Sequence, residues 1–141
     1  PDEDFVATLV NAARRGVDVR VLLPAKSNHI VVDWISRGYY SQLLDAGVRI
    51  LRFREAMVHA KTATIDGSWT TIGTANVDRL SMTGNYEINL EILDADVARQ
   101  MEEIFRVDAQ NCTELTLEEW NQRGFVRRYV DNVMRLTSAL Q

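Results

Sequence analysis

The chain has 141 residues and a formal net charge of −4, and 46% of its residues are hydrophobic and 26% charged, which is typical of one globular domain. It has no run of about 18 apolar residues, which excludes a membrane-spanning helix within it, and its single cysteine, Cys112, excludes an intrachain disulfide and a cysteine-based zinc site. The acidic balance weighs against a nucleic-acid partner, because phosphate-backbone binding generally shows as a basic excess.

The first part of the sequence predicts alternating helices and strands. In chain order these are a helix over 3–15, a strand over 17–23, a helix over 30–46 and a strand over 48–53. Asp2 is a candidate N-cap for the first helix, and Gly16 and Gly47 are stop signals for the two helices. Helix–strand–helix–strand order with short links predicts parallel strands in a layered α/β domain.

From residue 58 onward the sequence predicts strands and then helices. These are strands over 58–65, 69–72 and 86–92, a helix from Asp94 or Asp96 to about 109, and a helical segment over 116–139. Asp66-Gly67 is a turn signal, so the first two of these strands are predicted to form a hairpin. Thr116 and Glu119 form a capping box that opens the last helical segment.

These elements together predict an α/β fold. We expect a layered α/β/α domain with a mixed central sheet over 1–112, and a C-terminal helical segment over 113–141 packed on it. The opening helix has no strand before it, so we expect the first strand to be missing and the chain to be part of a longer protein. Basic residues near the C-terminus are expected to form a solvated helix face; they are Arg123, Arg127 and Arg128.

His59 and Lys61 form the most chemically suggestive pair in the sequence. Residues two apart on a strand share one face, so the two side chains are predicted to project side by side. An imidazole can attack phosphorus, and a neighbouring ammonium can neutralise charge that builds on phosphate oxygens. By itself such a pair is more often a surface histidine beside a surface lysine, so the residues that follow it decide the interpretation.

The residues after this pair extend it into a longer motif. Asp66 follows Lys61 at the spacing H-x-K-x4-D, and Gly73-Thr74-Ala75-Asn76 follows after six more residues. This pattern resembles that of the phospholipase D superfamily. With the segments over 39–50 and 85–92, the chain is similar over about residues 2–120 to the C-terminal half of bacterial cardiolipin synthases.

The resemblance implies a role for each matching residue. His59 matches the nucleophile that becomes a phosphohistidine, and Glu87 matches the carboxylate that holds the other nitrogen of that ring. Asp66 belongs to the catalytic motif but is more structural than chemical in the family. Phosphate contacts are implied for three residues: Lys61, Thr74 and Asn76. No metal ion and no organic cofactor are implied, and His29 is more simply a surface-loop residue than part of a substrate entrance.

The implied reaction is phosphatidyl transfer, converting phosphatidylglycerol to cardiolipin and glycerol. The family builds its reaction centre from two facing motifs, and this sequence carries one. We therefore expect a half-domain that is inactive alone and is completed by the N-terminal half of the same enzyme or by a second copy. The alternatives are a homodimeric nuclease or phosphodiesterase of the superfamily, and a non-catalytic interaction module.

The implied location is the cytoplasmic side of a bacterial cell membrane, reached through the parent protein, while this piece itself is expected to be soluble. The expected partners are a phospholipid substrate and the membrane surface. Nucleic acid is not expected. The C-terminal segment has an amphipathic pattern that could touch lipid, although packing onto the domain is the preferred interpretation.

Overall fold

The structure is a computed structural model, which describes residues 3–25, 38–54, 59–75 and 86–122. These residues form helices and strands in mixed order, which confirms the α/β class. In chain order the elements are α1 (Glu3–Arg14), β1 (Arg20–Pro24), α2 (Tyr40–Asp45), β2 (Arg49–Phe53), β3 (Thr62–Ile65), β4 (Trp69–Gly73), β5 (Asn89–Leu93), α3 (Ala95–Gln110), β6 (Cys112–Leu115) and α4 (Leu117–Asn121).

The first sheet has the strand order β1-β2-β6 and lies under α1, α2 and α4. β1 and β2 run parallel, as predicted, and β6 pairs antiparallel to the other edge of β2. Ile50, the second residue of β2, is fully buried, and Val48, directly before the strand, is 2% exposed. β2 therefore carries the centre of the hydrophobic core.

The second sheet is an antiparallel meander with the order β3-β4-β5. A tight turn joins β3 to β4, with Asp66 at φ 51° and Gly67 at φ 59°, and the Ser68 N–H donates to the Ile65 carbonyl at 3.2 Å. Positive φ at both central residues is the type I′ geometry that fits strand twist, which confirms the predicted hairpin. α3 packs on β3 and β4 and also contacts β2, so it bridges the two sheets.

The helix ends follow local signals in the sequence. Gly16 and Gly47 have φ of 93° and 92° directly after α1 and α2, a conformation that glycine adopts without steric cost. The Asp94 carboxylate accepts the N–H groups of Asp96 and Val97 and so caps α3. Thr116 and Glu119 make the predicted capping box of α4.

Trp120 anchors α4 to the domain. Its ring lies 5.0 Å from that of Tyr40, its indole N–H donates to the Ser41 hydroxyl at 2.8 Å, and it is 5% exposed. The start of the C-terminal segment therefore packs on the core.

Some boundaries differ from the prediction. β6 was not predicted at all, and it spans the boundary expected at residue 112, because a short edge strand is selected by its partner β2 rather than by its own composition. β3 begins at Thr62, β1 at Arg20 and β5 at Asn89, each later than expected. The strands of the described residues form two sheets of three strands.

Several predictions lie outside the described residues. They concern the Asp2 cap, residues 30–37 of the predicted second helix, and residues 123–141, which include the basic trio named above. None of the helices within the described ranges combines the length and the apolar character that a membrane crossing requires.

Candidate active site

Three chain segments meet at one end of the second sheet. β3 starts there, β4 ends there and β5 starts there, because neighbouring strands of a meander run in opposite directions. The Gly73 N–H donates to the Lys61 carbonyl at 3.0 Å, and Gly73 is the register partner of Asn89. The antiparallel pairing thus brings together residues 59–61, 73–75 and 86–89.

His59 and Lys61 lie on the same side, as predicted, although both precede the first residue of β3. The Lys61 Nζ is 2.5 Å from the His59 Nε2. An ammonium has no acceptor capacity, so the ring nitrogen must accept, which places the proton of the neutral ring on Nδ1. His59 is exposed and Lys61 is half-buried, so a ligand can reach the imidazole and the positive charge beside it.

Thr74 and Glu87 form the second polar pair. The Thr74 hydroxyl donates to the Glu87 Oε2 at 2.5 Å and accepts the N–H of Ile88 at 3.0 Å. A hydroxyl has one proton to donate. In the structure that proton points to Glu87, and the phosphate contact that the family resemblance implies for Thr74 stays a prediction.

The predicted contact between Glu87 and His59 stays a prediction. Within the described residues, the Glu87 carboxylate bonds to Thr74 and not to His59. Both residues lie at the same end of the second sheet, on the segments that precede β3 and β5.

Asp66 is not brought to this cluster. It lies in the turn at the opposite end of the β3–β4 hairpin, about 16 Å from Lys61 along an extended chain. Its φ of 51° is a conformation that aspartate tolerates better than most residues. The position fits the structural role that the family resemblance implies for this residue.

Two predicted site residues, Asn76 and His29, lie outside the described residues. Among the residues that are described, no cluster of three or more His, Cys, Asp or Glu side chains has the arrangement of a metal site.

Asn89 was missed as a site residue. Its Oδ1 accepts the Ala75 N–H at 3.3 Å, and a Cβ built on Gly73 would lie 1.8 Å from this oxygen. The sequence offered only a weak signal for this residue. Strands disfavour asparagine, and this one lies opposite the glycine of the motif.

The fold and this cluster define the class of the protein. In fold, the chain is similar to a phospholipase D family member, Nuc from Salmonella typhimurium, with a TM-score of 0.71 and 20% identity, covering 81% of this chain and 74% of that one. Residues 1–109 match the family described as "Cardiolipin synthase, PLD-like domain". The chain belongs to this family of phospholipase D-like domains.

The chain is also similar to curated proteins that are named cardiolipin synthases. The chain is 39% identical over 140 residues to a cardiolipin synthase of Clostridium perfringens and 36% identical over 140 residues to cardiolipin synthase 2 of Bacillus anthracis. These matches cover 99% of this chain but 29% and 27% of the relatives. The chain thus spans less than a third of the length of the proteins that it resembles.

Proposed function

We propose that this chain supplies one half-site of a cardiolipin-synthase-type phosphatidyl transferase that acts through a phosphohistidine on His59. The observation that carries the proposal is the 2.5 Å contact between the Lys61 Nζ and the His59 Nε2. It joins the ring nitrogen that is proposed to attack phosphorus to a cation of the sign that phosphate requires. The substrate class follows from the cardiolipin synthases that the chain resembles.

In the first step the His59 Nε2 attacks the phosphorus of phosphatidylglycerol. The N–P bond forms, the P–O bond to glycerol breaks, and the glycerol oxygen takes up a proton. When the substrate binds, Lys61 moves its hydrogen bond from Nε2 to a phosphate oxygen, which frees the Nε2 lone pair and neutralises the negative charge that grows on the phosphate oxygens. Asn76 is proposed to contact the same oxygens.

In the second step a hydroxyl of another phosphatidylglycerol attacks the phosphohistidine. Its proton leaves, the new P–O bond forms, and the P–N bond breaks and returns the lone pair to His59. The sum of the two steps converts two molecules of phosphatidylglycerol to cardiolipin and glycerol. Hydrolysis would follow the same path with water as the attacking group.

Glu87 is proposed to accept the Nδ1 proton of His59 and so to keep the Nε2 lone pair available. Two observations support this role: Lys61 contacts Nε2, which leaves Nδ1 for another partner, and Glu87 lies at the same end of the second sheet as His59. A third group that orients the imidazole in this way recurs in nucleophile–base chains.

The proton for the departing glycerol is proposed to come from a second half-site. The described cluster contains one imidazole, and general acid catalysis is worth roughly 10²–10⁴ in rate. The curated relatives are more than three times as long as the matched region, which leaves room for a facing half. The N-terminal half of the same enzyme, or a second copy, would supply it at the surface of a bacterial membrane.

The proposal is tested in the full-length protein with vesicles of phosphatidylglycerol and cardiolipin measured by mass spectrometry. His59→Asn should abolish product, whereas Glu91→Gln, at an exposed site on β5, should not. A rate within tenfold of the wild type for His59→Asn would remove this residue from the nucleophile role. The isolated chain should be inactive, and robust turnover by a proven monomer would contradict the need for a second half-site.

A further inference from the structure

Asn89 lies directly against the backbone of Gly73. The two residues are register partners at the end of β4 and the start of β5. A Cβ on Gly73 would lie 1.8 Å from the Asn89 Oδ1, 2.7 Å from its Cγ and 2.5 Å from the Ile88 carbonyl oxygen. These distances leave no space for a side chain, so the asparagine occupies the volume that a larger residue at position 73 would need.

The same asparagine oxygen turns the chain after β4. In an antiparallel ladder, alternate N–H groups point to alternate neighbours. The Gly73 N–H donates to Lys61 on the β3 side and the Thr74 N–H donates to Ile88 on the β5 side. A continued ladder would aim the Ala75 N–H back toward β3, but this group donates to the Asn89 Oδ1 at 3.3 Å.

We propose that Asn89 is a positioning residue that fixes the exit of the chain from β4 by holding the Ala75 N–H. Ala75, whose N–H it holds, directly precedes Asn76 in the sequence. The inference rests on the proposed function, because Asn76 matters only if it contacts the transferred phosphate. The inference also explains why residue 73 is a glycine: Asn89 and Ile88 lie too close to it to allow a side chain.

The test compares variants of the full-length protein by their rate of cardiolipin formation on phosphatidylglycerol vesicles. Asn89→Leu keeps the size and removes the acceptor, so the rate should fall on the order of tenfold or more, as expected for a misplaced contact group. Asn89→Asp keeps an oxygen at the same position and should retain most of the rate. Asn11→Leu, at an exposed asparagine on α1, is the matched control.

A double variant tests whether Asn89 affects the rate through Asn76. If Asn89 acts through Asn76, then Asn89→Leu combined with Asn76→Ala should be no slower than Asn76→Ala alone. Hydrogen exchange of the Ala75 amide should speed up in Asn89→Leu and stay near the wild-type rate in Asn89→Asp. If Asn89→Leu does not fold, Asn89→Ala removes the same oxygen and is expected to give the same pattern.

Three results would overturn the inference: a wild-type rate for Asn89→Leu, full additivity with Asn76→Ala, or an aspartate variant as slow as the leucine variant. Failure of the proposed function has a different signature, which is an active His59→Asn protein. An inactive His59→Asn with a fully active Asn89→Leu would refute the positioning role alone.

Discussion

The hydroxyl of Thr74 is hydrogen-bonded to the carboxylate of Glu87 at 2.5 Å. The same oxygen accepts the N–H of Ile88 at 3.0 Å, so one side chain ties the end of β4 to the segment that leads into β5. This contact holds Glu87 at the end of the sheet where His59 and Lys61 lie. Thr74 therefore supports the carboxylate of Glu87.

Substituting Thr74 should show this support directly. Thr74→Val keeps the shape and removes the hydroxyl, so Glu87 loses its donor, and cardiolipin formation by the full-length protein should fall by about tenfold or more. Thr74→Ser keeps the donor and should remain close to the wild type. Steady-state rates on phosphatidylglycerol vesicles measure both, with Thr113→Val, at an exposed position on β6, as the control.

The double variant Thr74→Val/Glu87→Gln separates the two roles of Thr74. If the threonine acts through the carboxylate, the double variant should be no slower than Glu87→Gln alone. Multiplicative losses would instead indicate an independent phosphate contact for Thr74. Glu91→Gln, at an exposed site on β5, should be active.

Trp120 should contribute strongly to stability. Its side chain is 5% exposed, packs against Tyr40 and donates to Ser41, so Trp120→Ala removes core packing and leaves a hydroxyl without its donor. We expect the free energy of unfolding to fall by about 3–5 kcal/mol. Leu117→Ala, on the same helix but 36% exposed, should cost much less, and equal losses in urea denaturation would contradict the anchor role.

Glu114 should make stability depend on pH. Arg49 donates to its carboxylate through Nε at 2.9 Å and Nη2 at 2.8 Å, and this hydrogen bonding holds the pKa of Glu114 below its ordinary value. Arg20 and Asp18 lie nearby and act in opposite directions, with Arg20 lowering and Asp18 raising this pKa. The folded state therefore favours the charged carboxylate. Its contribution is complete above the unfolded glutamate pKa of about 4.3 and is lost as pH falls through the lower folded pKa.

The measurement is the difference in unfolding free energy between the wild type and Glu114→Gln across pH. Both partners are more than 40% exposed, so the difference at pH 7 should be about 0.2–1 kcal/mol. It should shrink toward zero in acid. A difference that grows as pH falls below the usual glutamate range would contradict the assignment.

Much of the fold was predictable because its signals are local. The glycine after α1, the Asp66-Gly67 turn and the Asp94 cap each act on their own few residues, and the structure confirms all three. β6 was missed because its pairing with β2 joins residues far apart in the sequence, and its own residues show no clear strand pattern.

The candidate site likewise has contacts that local sequence predicts and contacts that it does not. The proximity of His59 and Lys61 follows from extended backbone alone, so the sequence predicted it. The bonds from Thr74 to Glu87 and from Ala75 to Asn89 depend on the register of β4 against β5, which no local pattern specifies. A one-residue change of register would reverse every such pair.

The central claim is a covalent bond between phosphorus and the His59 Nε2. Full-length protein is mixed with phosphatidylglycerol, quenched without acid, digested and analysed by mass spectrometry. A phosphatidyl group on the peptide that contains His59, absent from His59→Asn, is the predicted result. Cardiolipin formation with no adduct on His59, or an adduct that persists in His59→Asn, would contradict the account.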